Sequence, residues 1–167
     1  GIAGIMGGDN SKISDEVNTV LLEAATFNGP NIRKSSKRLG LRTDASGKFE
    51  KGLDPRNAQA AIDRACQLIQ ELGCGEVVGG TVDVCVPLAP LKEIPFEPNK
   101  INRLLGTEIP EEQMLSIFKQ EEIKFDKASN SLIIPSFRQD LQGFADIAEE
   151  VARFFGYDKI PTTLPRG

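Results

Sequence analysis

The sequence predicts an α+β protein in two parts: a mixed-sheet portion over residues 1–88 and a small winged-helix-like unit over residues 89–167. Three observations carry this expectation. Apolar runs of strand length alternate with helical periodicities in the first part. The second part reads helix, helix, two short strands, helix. Between them, Val86-Pro-Leu-Ala-Pro90 sets two prolines where neither a helix nor a strand continues.

Gly1 to Gly8 reads as an apolar strand entering a tight glycine turn, and Val17 to Ala25 as a buried strand with Glu23 in an otherwise apolar run. Asn28-Gly-Pro30 suits a helix entry, followed by a short basic helix from Asn31 to Leu39 that Gly40 closes. Leu41 to Gly52 reads as irregular. Asp54-Pro55 opens a long helix to about Leu72, where Gly73 ends it. Its apolar positions Ala58, Ile62, Ala65, Ile69 and Leu72 recur at the helical period. Gly75 to Pro87 holds one or two further strands.

After the prolines, Leu91–Phe96 reads as a strand. Asn99 caps a helix from Lys100 to Leu105, and Pro110 opens another to about Lys119. Ile123–Phe125 and Leu132–Ile134 suit a small hairpin. The final helix places Phe144, Ile147, Ala148, Val151, Phe154 and Phe155 on one side and ends at Gly156. Asp146, Glu149 and Glu150 stand at i, i+3 and i+4 on the other side, with Asp140 upstream.

Composition narrows the chemistry. The chain has 167 residues, 40% hydrophobic and 26% charged, and a net charge of −4, which is the balance of a globular protein. Residues 1–88 carry 10 basic and 11 acidic side chains and residues 89–167 carry 10 and 13, so neither part has an overall basic footprint for nucleic acid. No apolar run is long enough to span a bilayer. Residue 1 is a glycine inside a Gly-rich apolar segment, so the chain reads as a piece of something longer. Cys66, Cys74 and Cys85 lack Cys-x-x-Cys spacing, which argues against a zinc site or disulfide framework and fits a reducing cytosol. Histidine is absent, which removes Ser-His and Cys-His machinery and imidazole general-base catalysis from this chain.

Four features have the residue types for a site. The acids Asp140, Asp146, Glu149 and Glu150 suit a hard cation by their oxygen donors, but equally suit a solvated face in which Arg153 pairs with Glu149 and Glu150. Gly4-Ile-Met-Gly7-Gly8 lets backbone approach a ligand but lacks the Lys-Ser/Thr of a phosphate loop. Glu23 is an acid amid Val, Leu and Ala, costly if buried and unremarkable if its position faces solvent. Arg42-Thr43-Asp44-Ala45-Ser46 is small and polar, suited to hydrogen-bonding a ligand or to an ordinary Asx/Ser turn.

Taken together these segments resemble the β-subunit family of bacterial phenylalanyl-tRNA synthetases. The likeness runs in order through Gly1-Ile-Ala-Gly-Ile-Met-Gly-Gly8, Leu21-Leu-Glu-Ala-Ala-Thr-Phe27, Arg42-Thr-Asp-Ala-Ser46 and Lys48-Phe-Glu-Lys-Gly-Leu-Asp-Pro55. It continues in Pro135-Ser-Phe-Arg138-x-Asp140 and Glu149-Glu-Val-Ala-Arg-x-x-Gly-Tyr157, with Lys48 and Lys51 where the family commonly has Arg. The resemblance implies that residues 1–88 are the C-terminal half of a tRNA-editing domain, which hydrolyses tRNA(Phe) mischarged with tyrosine. Its pocket residues would be Gly7, Glu23, Thr43 and Ala45. The family's pocket also uses an upstream histidine, so this chain would hold only part of the site, no catalytic residue, and no activity alone. Residues 89–167 would be the following small domain, with a DNA-binding-like fold.

By the same resemblance, ATP-dependent aminoacylation lies on a partner α subunit in an α2β2 cytoplasmic enzyme that binds tRNA(Phe) and no membrane. Mg2+ would be shared between the subunits through Asp140, Asp146, Glu149 and Glu150, and be empty or weakly held without the partner. The contrasting readings are a nucleic-acid-binding module and a purely structural subunit-interface piece.

Overall fold

In the computed structural model the protein is described over residues 1–162. It divides into two compact units, Gly1–Leu88 and Ala89–Gly167. The class is α+β: helices with a small antiparallel sheet.

The first unit is built on three helices, α1 (Gly29–Leu39), α2 (Asp44–Phe49) and α3 (Asn57–Glu71). Asn28 caps α1 by accepting from the Asn31 amide at 3.0 Å, Pro30 sits in its first turn, and Gly40 ends it in the left-handed conformation at φ 67°. The residues expected to be irregular form α2, because Thr43 and Ser46 make a reciprocal capping box. A serine at the third helical position does here what Glu or Gln usually does.

Ile5 and Ile32 are buried, and Phe27 meets Phe49 edge to face with centroids 4.8 Å apart. Gly4 enters this cluster at φ +68°, where a Cβ would fall 2.7 Å from Ile32 Cδ1 and 2.8 Å from Phe27 Cδ2. The expected stripe of α3 is its less exposed side at Ala58, Ile62, Ala65 and Ile69, but none is fully buried and Leu72 is open to solvent.

The mixed sheet expected in this unit is not formed. Among the described residues, Gly1–Gly8 makes only the isolated bridge Ile2–Met6, and residues 17–25 and 75–87 contain no strand. The physical reason is the lack of a neighbour. A strand completes its backbone hydrogen bonds only against another strand, and these runs do not pair with each other. Val20, Leu21, Val82 and Val84 are consequently exposed, Leu21 to 97% and Val84 to 92%.

The second unit runs β1 (Lys92–Pro95), α4 (Pro98–Leu105), α5 (Glu111–Gln120), β2 (Lys124–Asp126), β3 (Ser131–Ile134) and α6 (Phe144–Phe155). The antiparallel sheet has the order β1-β3-β2, with Ile94 opposite Leu132 and Phe125 opposite the same Leu132. Every one of these elements was legible as a pattern. One face of the sheet meets the helices in a core of Ile94, Phe96, Ile101, Met114, Phe118, Leu132, Ile147 and Val151. Phe96 packs edge to face on both Phe118 and Phe125. The α4–α5 turn is pinned by Asn102, which accepts from the Ile109 amide at 2.8 Å and donates to the Ile109 carbonyl at 2.9 Å.

Candidate functional site

Of the first-unit site residues expected from sequence, Thr43 and Ala45 stand at the start of α2 and Gly7 on a loop tied to it. Thr43 faces two ways. Its hydroxyl donates to the Ile5 carbonyl at 2.5 Å and accepts from the Ser46 amide at 3.1 Å. The Gly4–Gly8 loop is thereby tied to the helix that carries Ala45. Gly7 lies two residues beyond that carbonyl, exposed, and a Cβ built on it would meet nothing within 4 Å. Ala45 is likewise exposed. Behind them, Ser46 is 1% exposed and donates to the Thr43 carbonyl at 2.9 Å, while Ser36 of α1 donates to the Leu41 carbonyl. Thr43, Ala45 and the Gly7 loop thus form one linked locality in which Gly7 and Ala45 are exposed. Glu23 is not drawn into it. It is exposed, with no hydrogen bond or ion pair among the described residues.

In the second unit the acids are not equivalent. Asp146 accepts from the amides of Gln142 at 2.7 Å and Gly143 at 2.8 Å, satisfying donors at the start of α6. Glu149 is exposed and unpaired among the described residues. Glu150 was expected on the solvent side but is 7% exposed. Its burial is tolerated because Arg138, from the segment before α6, and Arg153, of the same helix, both pair with it. Arg138, before α6, donates to Glu150 at 3.0 Å, to Glu121 at 3.3 Å and to Asp140 at 2.7 Å, the last through a two-nitrogen fork. Arg153 donates to both Glu121 and Glu150. The expected Arg153–Glu150 pair is present, and Arg153–Glu149 is not.

Glu121, at the end of α5, is the member that sequence reasoning missed. Its Oε2 is buried and finds no donor. Three acids face two guanidiniums here, so one carboxyl is left in excess. Burial, its contact with Glu150 and that neighbour's charge push Glu121 up to about 7. Burial works to raise Glu150 too, but hydrogen bonds from Glu121, Arg153 and Arg138 hold it below the usual carboxylate range. The Arg138 fork lowers Asp140.

These four acids do not fit a magnesium ion as they stand. A hard cation needs several oxygens converging at one point. Asp140 and Glu150 are instead neutralised by arginine, and Asp146 is occupied by the helix start. Among the described residues no group of three or more His, Cys, Asp or Glu is gathered to hold a metal. A cavity of about 480 Å³ beside α4, lined by Glu97, Pro98, Asn99, Lys100 and Arg103, contains none of the expected site residues.

Residues 1–74 match the B3/4 domain family, and residues 94–157 match the tRNA synthetase B5 domain family. Each unit thus matches a separate domain family, the second of them named for tRNA synthetases. Nearly the whole chain aligns with curated relatives. It is 45% identical over 165 residues to the phenylalanine–tRNA ligase β subunit of Clostridium tetani (strain Massachusetts / E88), covering 98% of this chain and 21% of that protein. It is 44% identical over 168 residues to that of Geobacter metallireducens, covering 99% and 21%. It is 42% identical over 166 residues to that of Bacillus subtilis (strain 168), covering 98% and 21%. The chain belongs to the phenylalanine–tRNA ligase β subunit family, and spans about a fifth of the length of these relatives.

Proposed function

We propose that this chain serves the synthesis of Phe-tRNA(Phe) as two domains of a ligase β subunit, and that its first unit contributes to hydrolytic editing of Tyr-tRNA(Phe). The observation that carries the reading is the Thr43–Ile5 hydrogen bond, which holds the open Gly7 loop beside Ala45 in a chain of this family. Such a pocket must tell tyrosine from phenylalanine by one hydroxyl. A site that pairs with that hydroxyl rejects the analogue lacking it by about four to five orders of magnitude. Thr43 keeps an acceptor lone pair for that bond, Glu23 would add its carboxylate only once the assembled enzyme brings it to this locality, and Gly7 and Ala45 leave room for the ring. In this reading these residues hold the aminoacyl ester, and the chain supplies no catalytic residue of its own. In the assembled enzyme with its α subunit, Glu23→Ala is expected to lower Tyr-tRNA(Phe) deacylation and leave Phe-tRNA(Phe) formation intact. Equal deacylation by both enzymes removes the editing reading. The 167-residue chain alone is expected to be inactive.

The second unit serves in this reading as a scaffold toward the α subunit. Its order of helix, helix and two-stranded hairpin supports a winged-helix-like description, while its 10 basic and 13 acidic side chains argue against a nucleic-acid role of its own. Mg2+ at Asp140, Asp146, Glu149 and Glu150 belongs here only for an assembly that draws Asp140 and Glu150 off Arg138. Unchanged metal affinity of the assembled enzyme carrying Glu149→Ala and Glu150→Ala removes it. No helix among the described residues is long and apolar enough to cross a membrane, and a cytoplasmic setting is part of the same proposal.

A further inference from the structure

The basic face of α1 is left unused by the pocket. Residues 29–52 carry seven basic and two acidic side chains, a net of +5 in a chain whose total is −4. Four of the seven, Arg33, Lys34, Lys37 and Arg38, are on α1, and all four are exposed. At 3.6 residues per turn they fall within an arc of about 140°. Ile32 and Ser36 are buried on the other side of the helix. Arg42 is paired with Glu50, but none of these four makes an ion pair among the described residues.

Local physics explains only half of the set. Lys37 and Arg38 occupy the last turn, where the helix dipole favours cations. Arg33 and Lys34 lie a turn earlier, each four residues from another cation, an arrangement that costs helix stability. A uniformly repulsive, solvent-facing row becomes favourable when a polyanion covers it, because each phosphate neutralised releases a counterion. The two i, i+4 rows set their cations about 5–6 Å apart at Cβ, within reach of successive phosphates for such long side chains. The arc contains no large apolar residue to insert into lipid, which separates it from a membrane-surface helix.

Resting on the tRNA-ligase reading above, we propose that Arg33, Lys34, Lys37 and Arg38 form a docking face for the phosphate backbone of tRNA, on the helix whose buried side meets Gly4 and Ser46. The face carries affinity and orientation, not sequence recognition.

The test titrates the full 167-residue chain with a tRNA(Phe) transcript across about 25 to 200 mM salt. The variant is Arg33→Gln, Lys34→Gln, Lys37→Gln and Arg38→Gln together, with its fold checked by circular dichroism. The control removes four exposed cations of the second unit by Arg103→Gln, Lys119→Gln, Lys124→Gln and Lys127→Gln. The α1 variant is expected to bind at least about tenfold more weakly at low salt, with the log–log salt slope reduced by about 3, and the control to change less than about twofold. The proposal is overturned if wild type does not bind, if the α1 variant binds like wild type, or if both variants lose equally. It is also overturned if vesicles of phosphatidylglycerol and phosphatidylcholine bind α1 more tightly than tRNA does. Deacylation separates this from the editing reading. Binding that does not depend on α1, together with Glu23-dependent deacylation in the assembled enzyme, removes the docking face alone, and α1-dependent binding with Glu23-independent deacylation removes the editing pocket alone.

Discussion

Glu121 and Glu150, from different helices, accept from the same two guanidiniums, Arg138 and Arg153, and are held against each other as a result. Two carboxylates so placed cannot both stay ionised without cost, and Glu121 is the one pushed up, to about 7 from 4.5.

The sign of the pH dependence follows. A folded-state value raised above the unfolded one gives stability that is complete below about 4.5 and is lost as pH rises through about 7. Asp140 and Glu150 are lowered and act oppositely, losing their contribution on acidification. Glu121→Gln imitates the protonated acid, accepting from the arginines and donating to Glu150. Urea unfolding should show the wild type losing on the order of 1–2 kcal/mol relative to this variant between pH 5 and 8, after allowance for solvent screening. Parallel pH profiles would sink the assignment.

Arg138 is the organiser of that cluster, touching three acids with a side chain 17% exposed. Arg138→Ala leaves Glu121 and Glu150 buried with only Arg153 between them. A loss of about 2–4 kcal/mol is expected for the second unit, measured by chemical denaturation. Arg153→Ala, at a more exposed position, should cost clearly less, and the reverse ranking would refute this account.

Gly4 and Gly7 sit three residues apart in one loop and should behave differently. Gly4→Ala forces a Cβ into Ile32 and Phe27 at a positive φ, and about 1–3 kcal/mol of destabilisation is expected. Gly7→Ala fills empty space and should shift the melting midpoint little. If Gly7→Ala nevertheless lowers Tyr-tRNA(Phe) deacylation in the assembled enzyme, the lost volume is ligand volume. Unaltered deacylation would place the pocket elsewhere.

Ser46→Ala removes a fully buried hydroxyl that accepts from the Thr43 amide and donates to the Thr43 carbonyl. A cost of about 1–2 kcal/mol is expected from the orphaned amide and lost helix cap. Hydrogen exchange should show the Ser46 and Gly47 amides of α2 opening faster while β1–β3 exchange is unchanged.

Apart from α2, the helices of both units are readable because caps and apolar periods are local. Asn28, Gly40, Pro110 and Gly156 mark their boundaries within a few residues. Glu150 is not readable in that way. Periodicity puts it on a polar face, and its burial depends on Arg138 and Glu121, which arrive from other segments. The same blindness hid Glu121 itself, one of two adjacent acids at a helix end. The strands foreseen near Val20 and Val84 fail for a related reason, since β-propensity states what a residue suits and not whether a neighbour is present. Around the candidate pocket, Thr43 stands in a small polar segment suited to hydrogen bonding, but nothing local foretells that Ile5 is its acceptor.

Asp146 closes the first turn of α6, and this changes what a mutational scan of the four acids can mean. Alanine at Asp146 frays a helix, alanine at Glu150 leaves two arginines to share Glu121, alanine at Asp140 removes the exposed partner of Arg138, and alanine at Glu149 touches nothing. Four substitutions that look chemically identical on paper are four separate experiments, and a shared loss of ligase activity would not by itself indicate a shared ion.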